Sequence, residues 1–292
     1  MRTRIIDSLF TAMREHEDIF FLTADMGINL VERFAQAYPD RFLNVGIAEQ
    51  NLIGVAAGLA NAGFRPFVYT ISNFLVHRAF EQIRIDVALH RYPITLLGTS
   101  SGFDNAPLGP THHILDEWGS LRAIPGIDIY CPASTTYAAG LVPLQLARNN
   151  PAYVRIPKGS FDHPALGAGD TIYLPKRDAT SLLVAYGATV PACLAVHESK
   201  APASLLVLNR LRPLEDLRLP LSSHRRVLVV EDHFAHAGLY SLLCQYANEQ
   251  SLPCRLHTAA PDTYNLHTGA TERFYHSMYR MDEPSLTAFI NA

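Results

Sequence analysis

Short runs that are apolar on both faces recur along this chain between segments of helical period, and few folds can accommodate them. A half-solvated strand alternates polar and apolar residues, whereas a strand covered on both sides does not. Stretches 18–24, 93–99, 204–209 and 226–231 are apolar along most of their length. Interleaved with helices, they predict an α/β fold of parallel sheets with helices on both faces. The expected order opens with helix 3–16, strand 18–24, helix 30–38, strand 42–46, a helix starting near residue 49 and strand 66–71. Helix 74–90, strand 93–99, a long loop through 113, helix 115–123, strand 127–131, helix 134–149 and strand 152–156 follow. Residues 157–178 then break the pattern with Pro, Gly and charge. The expected division is therefore a first domain at 1–158, a linker at 159–178 and a second domain at 179–292. The second domain reads as strand 180–186, helix 189–199, strands 204–209 and 226–231, helix 238–249 and strand 254–259. An irregular tail, 261–280, precedes a last helix near Glu283 and Pro284.

A length of 292 residues suffices for two domains, each with its own core. With 48% apolar and 17% charged residues the chain is globular rather than disordered. A formal charge of −3 offers no broad basic surface for nucleic acid. The first eighteen residues carry charges throughout and apolar residues at helical intervals. They predict a folded helix, neither a signal peptide nor a membrane span. Cys131, Cys193, Cys244 and Cys254 form no CxxC pair, which fits a reduced, cytoplasmic protein. The adjacent His112 and His113 point apart on any regular element, so no metal site is expected there.

Residues 44–63, NVGIAEQNLIGVAAGLANAG, carry the strongest functional signal. A short apolar strand turns at Gly46 into a helix rich in small residues: Gly54, Ala56, Ala57, Gly58, Ala60 and Ala62. Small side chains at helical spacing let another backbone approach closely, within the chain or between subunits. Glu49 stands in the first turn with no opposite charge near it in the sequence. An acid there is favoured by the helix dipole and is commonly a solvated cap. An apolar strand feeding a Gly/Ala helix predicts burial instead, which would raise its pKa and suit it to hold a proton.

GIAEQN resembles the pyrimidine-binding motif of the transketolase group of thiamine-diphosphate enzymes. The same register continues in TADMG (23–27), SNFLVHRAFEQIR (72–84), GPTHH (109–113) and VRIPKG (154–159). In order and spacing the set resembles the carboxyl-terminal half of transketolase, and especially split transketolases made of two chains. The resemblance implies a pyrimidine-binding domain followed by a transketolase C-terminal-like domain, the latter serving packing and assembly more than chemistry. It implies that Glu49 bonds a nitrogen of the coenzyme's aminopyrimidine and that Phe74 stacks on that ring. Asp25 would approach the thiazolium or a dimer contact, or else cap the next helix. Phe80 reads as core.

His112 would contact substrate hydroxyls. Arg78 would touch substrate, as in deoxyxylulose-phosphate synthases, or simply pair with Glu81. Lys158 stands where the family has a phosphate-binding Arg. Leu108 stands where it has an Asp that recognises the hydroxyl beside the acceptor's aldehyde, so a less hydroxylated or unphosphorylated acceptor is expected. The family holds the diphosphate and a divalent metal, Mg or Ca, with a GDG motif and a downstream Asn. Here the only GD pair, Gly169 and Asp170, continues as Thr171 and Ile172. The expectation is a partner chain carrying that domain and the metal, in an α2β2 heterotetramer. The implied activity is transfer of a two-carbon ketol unit from a ketose to an aldehyde. The β subunit of a 2-oxoacid dehydrogenase and a non-catalytic paralogue are the competing readings.

Overall fold

The computed structural model describes residues 1–265, 267 and 269–292, in which the strands form two sheets. The first draws on β1 (Ile19–Thr23), β2 (Phe42–Asn44), β3 (Arg65–Ile71), β4 (Thr95–Thr99), β5 (Asp128–Tyr130) and β6 (Ala152–Ile156). The second draws on β7 (Thr171–Leu174), β8 (Ser181–Ala185) and β9 (Ala203–Leu208). After β10 (Arg210–Arg212), it continues with β11 (Arg226–Val230) and β12 (Arg255–Ala259). The orders are β10-β5-β6-β4-β3-β1-β2 and β12-β11-β8-β9-β7. Pairing is parallel except at two edges, where β10 runs against β5 and β7 against β9. In β4, β6, β8 and β9 every residue is buried, as both-face apolar runs require.

From β1 the chain goes to β2 on one side and then to β3 on the other, so the direction of winding reverses between β1 and β3. Open parallel sheets bind ligands outside the carboxyl ends of their strands at such a reversal. Asp25 follows β1, Glu49 follows β2 and Phe74 follows β3. Their common edge comes directly from this strand order.

Several expectations are corrected. The stretch expected as a linker contains β7, and Asp170 beside it is a structural anchor. Its carboxylate accepts from Tyr137 Oη and Arg148 Nη2, each at 2.6 Å. The irregular tail contains a helix, Glu272–Met278. The helix expected at 30–38 shrinks to Glu32–Ala37 with Val31 at its N-cap position, so Asp25 does not cap it. The helix expected at 74–90 is π-helical over Phe74–Arg78 and Ile83–Leu89, with Phe80–Gln82 α-helical between them. Such widened turns are uncommon and concentrate at functional sites. On Glu49–Asn61 the inner face is not purely small, since Leu52 and Ile53 are buried with Ala56, Ala57 and Ala60. Gly54 and Gly58 face outward with open space around them. Phe80 packs against the core, as expected.

One apolar cluster takes side chains from both sheets, joining Leu22, Val68 and Leu96 to Trp118, Tyr186, Leu206 and Val229. Trp118 donates to Tyr186 Oη at 3.2 Å within it. The two sheets are therefore welded rather than merely tethered. All four cysteines are free thiols. Among the described residues no helix is long and apolar enough to cross a membrane.

Candidate active site

Glu49 opens its helix at the end of a turn built by Asn44. The Asn44 Oδ1 atom accepts the N–H of Asp25 at 2.8 Å and of Gly46 at 3.0 Å, tying the end of β1 to the turn before Glu49. Asn44 was not among the sequence candidates; its one signal is a lone polar residue at the end of an apolar strand. Asp25 itself is exposed and adopts φ +49°.

The Glu49 side chain is buried, only 4% exposed. It is not without opposite charge, because Arg78 Nη1 donates to Glu49 Oε2 at 3.0 Å. Arg78 does not pair with Glu81, which bonds Arg84 at 2.7 Å instead. The Arg78 guanidinium also lies over the ring of Phe74, 3.9 Å from its centroid. The Phe74 ring meets the edge of His112 at 5.6 Å between centroids, with the planes 73° apart. Glu49, Arg78, Phe74 and His112 therefore form one contiguous group.

Leu108 and Lys158 lie on and against the loop that bears His112. Leu108 is exposed on the His112-bearing loop, in a 3-10 turn at Ala106–Leu108. Lys158 follows β6 and turns to the base of that loop, donating from Nζ to Asn105 Oδ1 and to the Asp104 carbonyl. Its N–H donates to Asp104 Oδ2 at 2.8 Å. Burial pushes the Asp104 carboxyl up. Burial, joined by the charges of Asp104 and Asp232, pushes Glu272 up to about 7. The surroundings of Lys158 are thus acidic. Among the described residues no three His, Cys, Asp or Glu side chains are placed to hold a metal ion.

His77, one turn beyond Phe74, shares a hydrogen bond between Nε2 and Asp116 Oδ1 at 3.0 Å, and Tyr264 Oη donates to Asp116 Oδ2. The bond to Asp116 holds the imidazole above its ordinary value of 6.5, outweighing burial. Burial would raise Asp116, yet its bonds to His77 and Tyr264 leave it lowered. A His with a raised folded-state pKa stabilises the fold fully below its unfolded value, and that contribution fades as pH rises through the folded one. Asp116→Asn should move the His77 midpoint, followed by imidazole NMR, to lower pH. A midpoint that does not move would refute the pair.

The Arg78 guanidinium reports what the space between Glu49 and Phe74 accepts. It is flat, carries N–H donors, lies on an aromatic face and gives a proton-bearing nitrogen to a carboxylate. An aminopyrimidine could lie on the same ring face and share a proton between its ring nitrogen and the carboxyl, so the residues present fit that end of a thiamine coenzyme.

Residues 1–163 match the family described as "Transketolase, pyrimidine binding domain". The chain is 30% identical over 301 residues to one of the subunits of the apulose-4-phosphate transketolase of Phocaeicola vulgatus, covering 98% of this chain and 94% of that one. It is 34% identical over 246 residues to the 1-deoxy-D-xylulose-5-phosphate synthase of a Parafrankia species, covering 79% of this chain but 38% of that one. Among solved structures, one described as a split gene transketolase, inactive beta4 tetramer, superposes with a TM-score of 0.85. The sequence identity is 23%, and 99% of this chain and 96% of that one are covered. A transketolase of Pichia stipitis superposes at 0.79 with 15% identity, over 98% of this chain and 45% of that one.

Proposed function

The chain belongs to the transketolase family, and on that premise we propose that it is the pyrimidine-binding subunit of a two-chain enzyme that moves a two-carbon ketol unit from a ketose to an aldehyde. The observation that carries this reading is the buried Glu49 carboxylate, bridged to the Phe74 ring by the flat N–H donor of Arg78. Thiamine diphosphate, bound there, would supply the nucleophilic carbon that cleaves and forms carbon–carbon bonds. Glu49 holds a proton or a hydrogen bond at the ring nitrogen, in a position water cannot level. Phe74 offers a ring face, an interaction of about 0.5–1.5 kcal/mol beyond buried area. Arg78 would have to yield its place on the Phe74 face to the coenzyme's ring. His112, able to donate and accept, meets a hydroxyl or carbonyl oxygen of the substrate. Asp25 lies at the rim, where a second chain would close the site.

A partner chain carrying the diphosphate-binding domain and its Mg or Ca ion is part of the proposal, as are the α2β2 assembly and a pyrimidine-binding unit spanning 1–158. Near end-to-end correspondence with a protein named as one subunit of a transketolase supports it, as does a structural relative described as an inactive β4 tetramer. Free thiols at all four cysteines fit the reducing cytoplasm. The chain alone should bind thiamine diphosphate weakly in calorimetry and show no turnover, and gain both with a GDG-bearing partner. Full activity of the single chain would sink the two-chain reading. Ketose or hydroxypyruvate should serve as donor in that assembly. Turnover of a branched 2-oxoacid in their place would favour the dehydrogenase reading.

Acceptor selection would lie in the loop that bears His112. Leu108 exposes an apolar side chain where a hydroxyl would otherwise find a carboxylate, and the Lys158 ammonium is already engaged in acidic surroundings. Both features support an acceptor with few hydroxyls and no phosphate at that end. Leu108→Asp should raise kcat/KM for ordinary aldose phosphates by about tenfold, the value of one hydrogen bond to a charged group. No change would count against this role for Leu108.

A further inference from the structure

The loop that carries His112 is closed at its base by the N–H of Ile114 donating to the Gly102 carbonyl at 2.9 Å. The base is also gripped from outside the loop. Arg155, fully buried on β6, donates from Nη2 to the Ile114 carbonyl at 2.7 Å. The same guanidinium donates to Glu117 Oε1 and to Asp232 Oδ1, each at 2.6 Å. Asp232 follows β11 of the second sheet and presses on Gly102, where an added Cβ would lie 1.9 Å from Asp232 Oδ2. Two neighbours of Asp232 extend the grip: the N–H of Phe234 donates to the Leu115 carbonyl at 2.7 Å, and His233 Nε2 accepts from Gly119 N–H at 3.3 Å. Burial keeps His233 neutral, with a pKa lowered to about 3, so that nitrogen is free to accept. On the far side Asn73 Nδ2 donates to the His113 carbonyl at 2.6 Å, linking the loop to the residue before Phe74.

We infer that Arg155 and Asp232 are positioning residues: a clamp between the first sheet and the second that sets His112 against Phe74. The second domain then takes part in shaping the site, rather than serving assembly alone. A guanidinium satisfied by two carboxylates and two carbonyls, with no water to compete, holds a fixed direction. Its fourth bond, to the Asp232 carbonyl at 3.1 Å, locks the strand end as well as the side chain. The value of the clamp to catalysis rests on the role proposed for His112, whereas its existence does not.

The test is amide hydrogen exchange by mass spectrometry on the full chain, with Asp232→Asn and Arg155→Lys. Lys keeps the charge and loses the fork, so it stays a usable variant if the first does not fold. Peptides spanning 101–116 and 73–80 should exchange about tenfold faster in either variant, with β8 and β9 unmoved, as expected of a local opening. In the assembled enzyme the same variants should raise KM about tenfold with kcat nearly kept, the signature of lost uniform binding. Acceleration spread evenly over both sheets, or confined to 226–240 with the loop unmoved, would overturn the inference. Because the exchange result needs no turnover, a missing ketol-transfer activity would defeat the proposed reaction and leave the clamp to be judged separately.

Discussion

Glu49→Gln, assembled with a diphosphate-binding partner and assayed for ketol transfer, is expected to fold normally and lose turnover by about 10²–10⁴-fold, the usual worth of a positioned acid–base group. Gln preserves the shape of the side chain and can still bond Arg78 through its amide oxygen. It cannot hold a proton for a ring nitrogen or take one back. The carboxylate is only 4% exposed, so solvent cannot replace it. Circular dichroism and denaturant midpoints should match those of the parent protein. A variant with near-parental turnover would remove Glu49 from the chemistry and with it the proposed use of the Phe74 ring face.

Arg155→Met is expected to cost about 3–5 kcal/mol of stability, because removing one member of a buried ionic group leaves its partners uncompensated. Glu117 and Asp232 would then face each other's surroundings without a cation, and neither can reach water, since their side chains are 0% and 1% exposed. Burial already pushes the Glu117 carboxyl up despite the attraction of Arg155, and without that attraction it would rise further. Relative to the parent, the variant should therefore recover part of its loss as pH falls and the acid takes up a proton. Chemical denaturation at several pH values measures this. A loss below about 1 kcal/mol would mean that the network contributes little beyond what Met packing restores.

The fold was largely legible in the chain because both-face apolar runs have one physical explanation, burial between helices. The elements that escaped notice are short or at edges, among them β7, β10 and the helices Arg218–Ser222 and Glu272–Met278. An edge strand such as β7, with every residue half-buried, has neither the continuous nor the alternating pattern that marks a strand. The candidates Glu49, Phe74 and His112 stood out because ordered motifs name residues, and the structure places them in one group with Arg78.

Local pattern could reach no further than that. The partner of Glu49 is 29 residues away along the chain, and the Arg155 to Asp232 bond spans 77. Periodicity and motif order depend on neighbours a few positions apart, so they carry the class of fold and the list of candidates. Which charge meets which, and that the second sheet grips the His112 loop, depends on strand order and on the directions of buried side chains. Only the folded chain has these, because buried charges choose their partners by proximity in space and by the cost of being left without one.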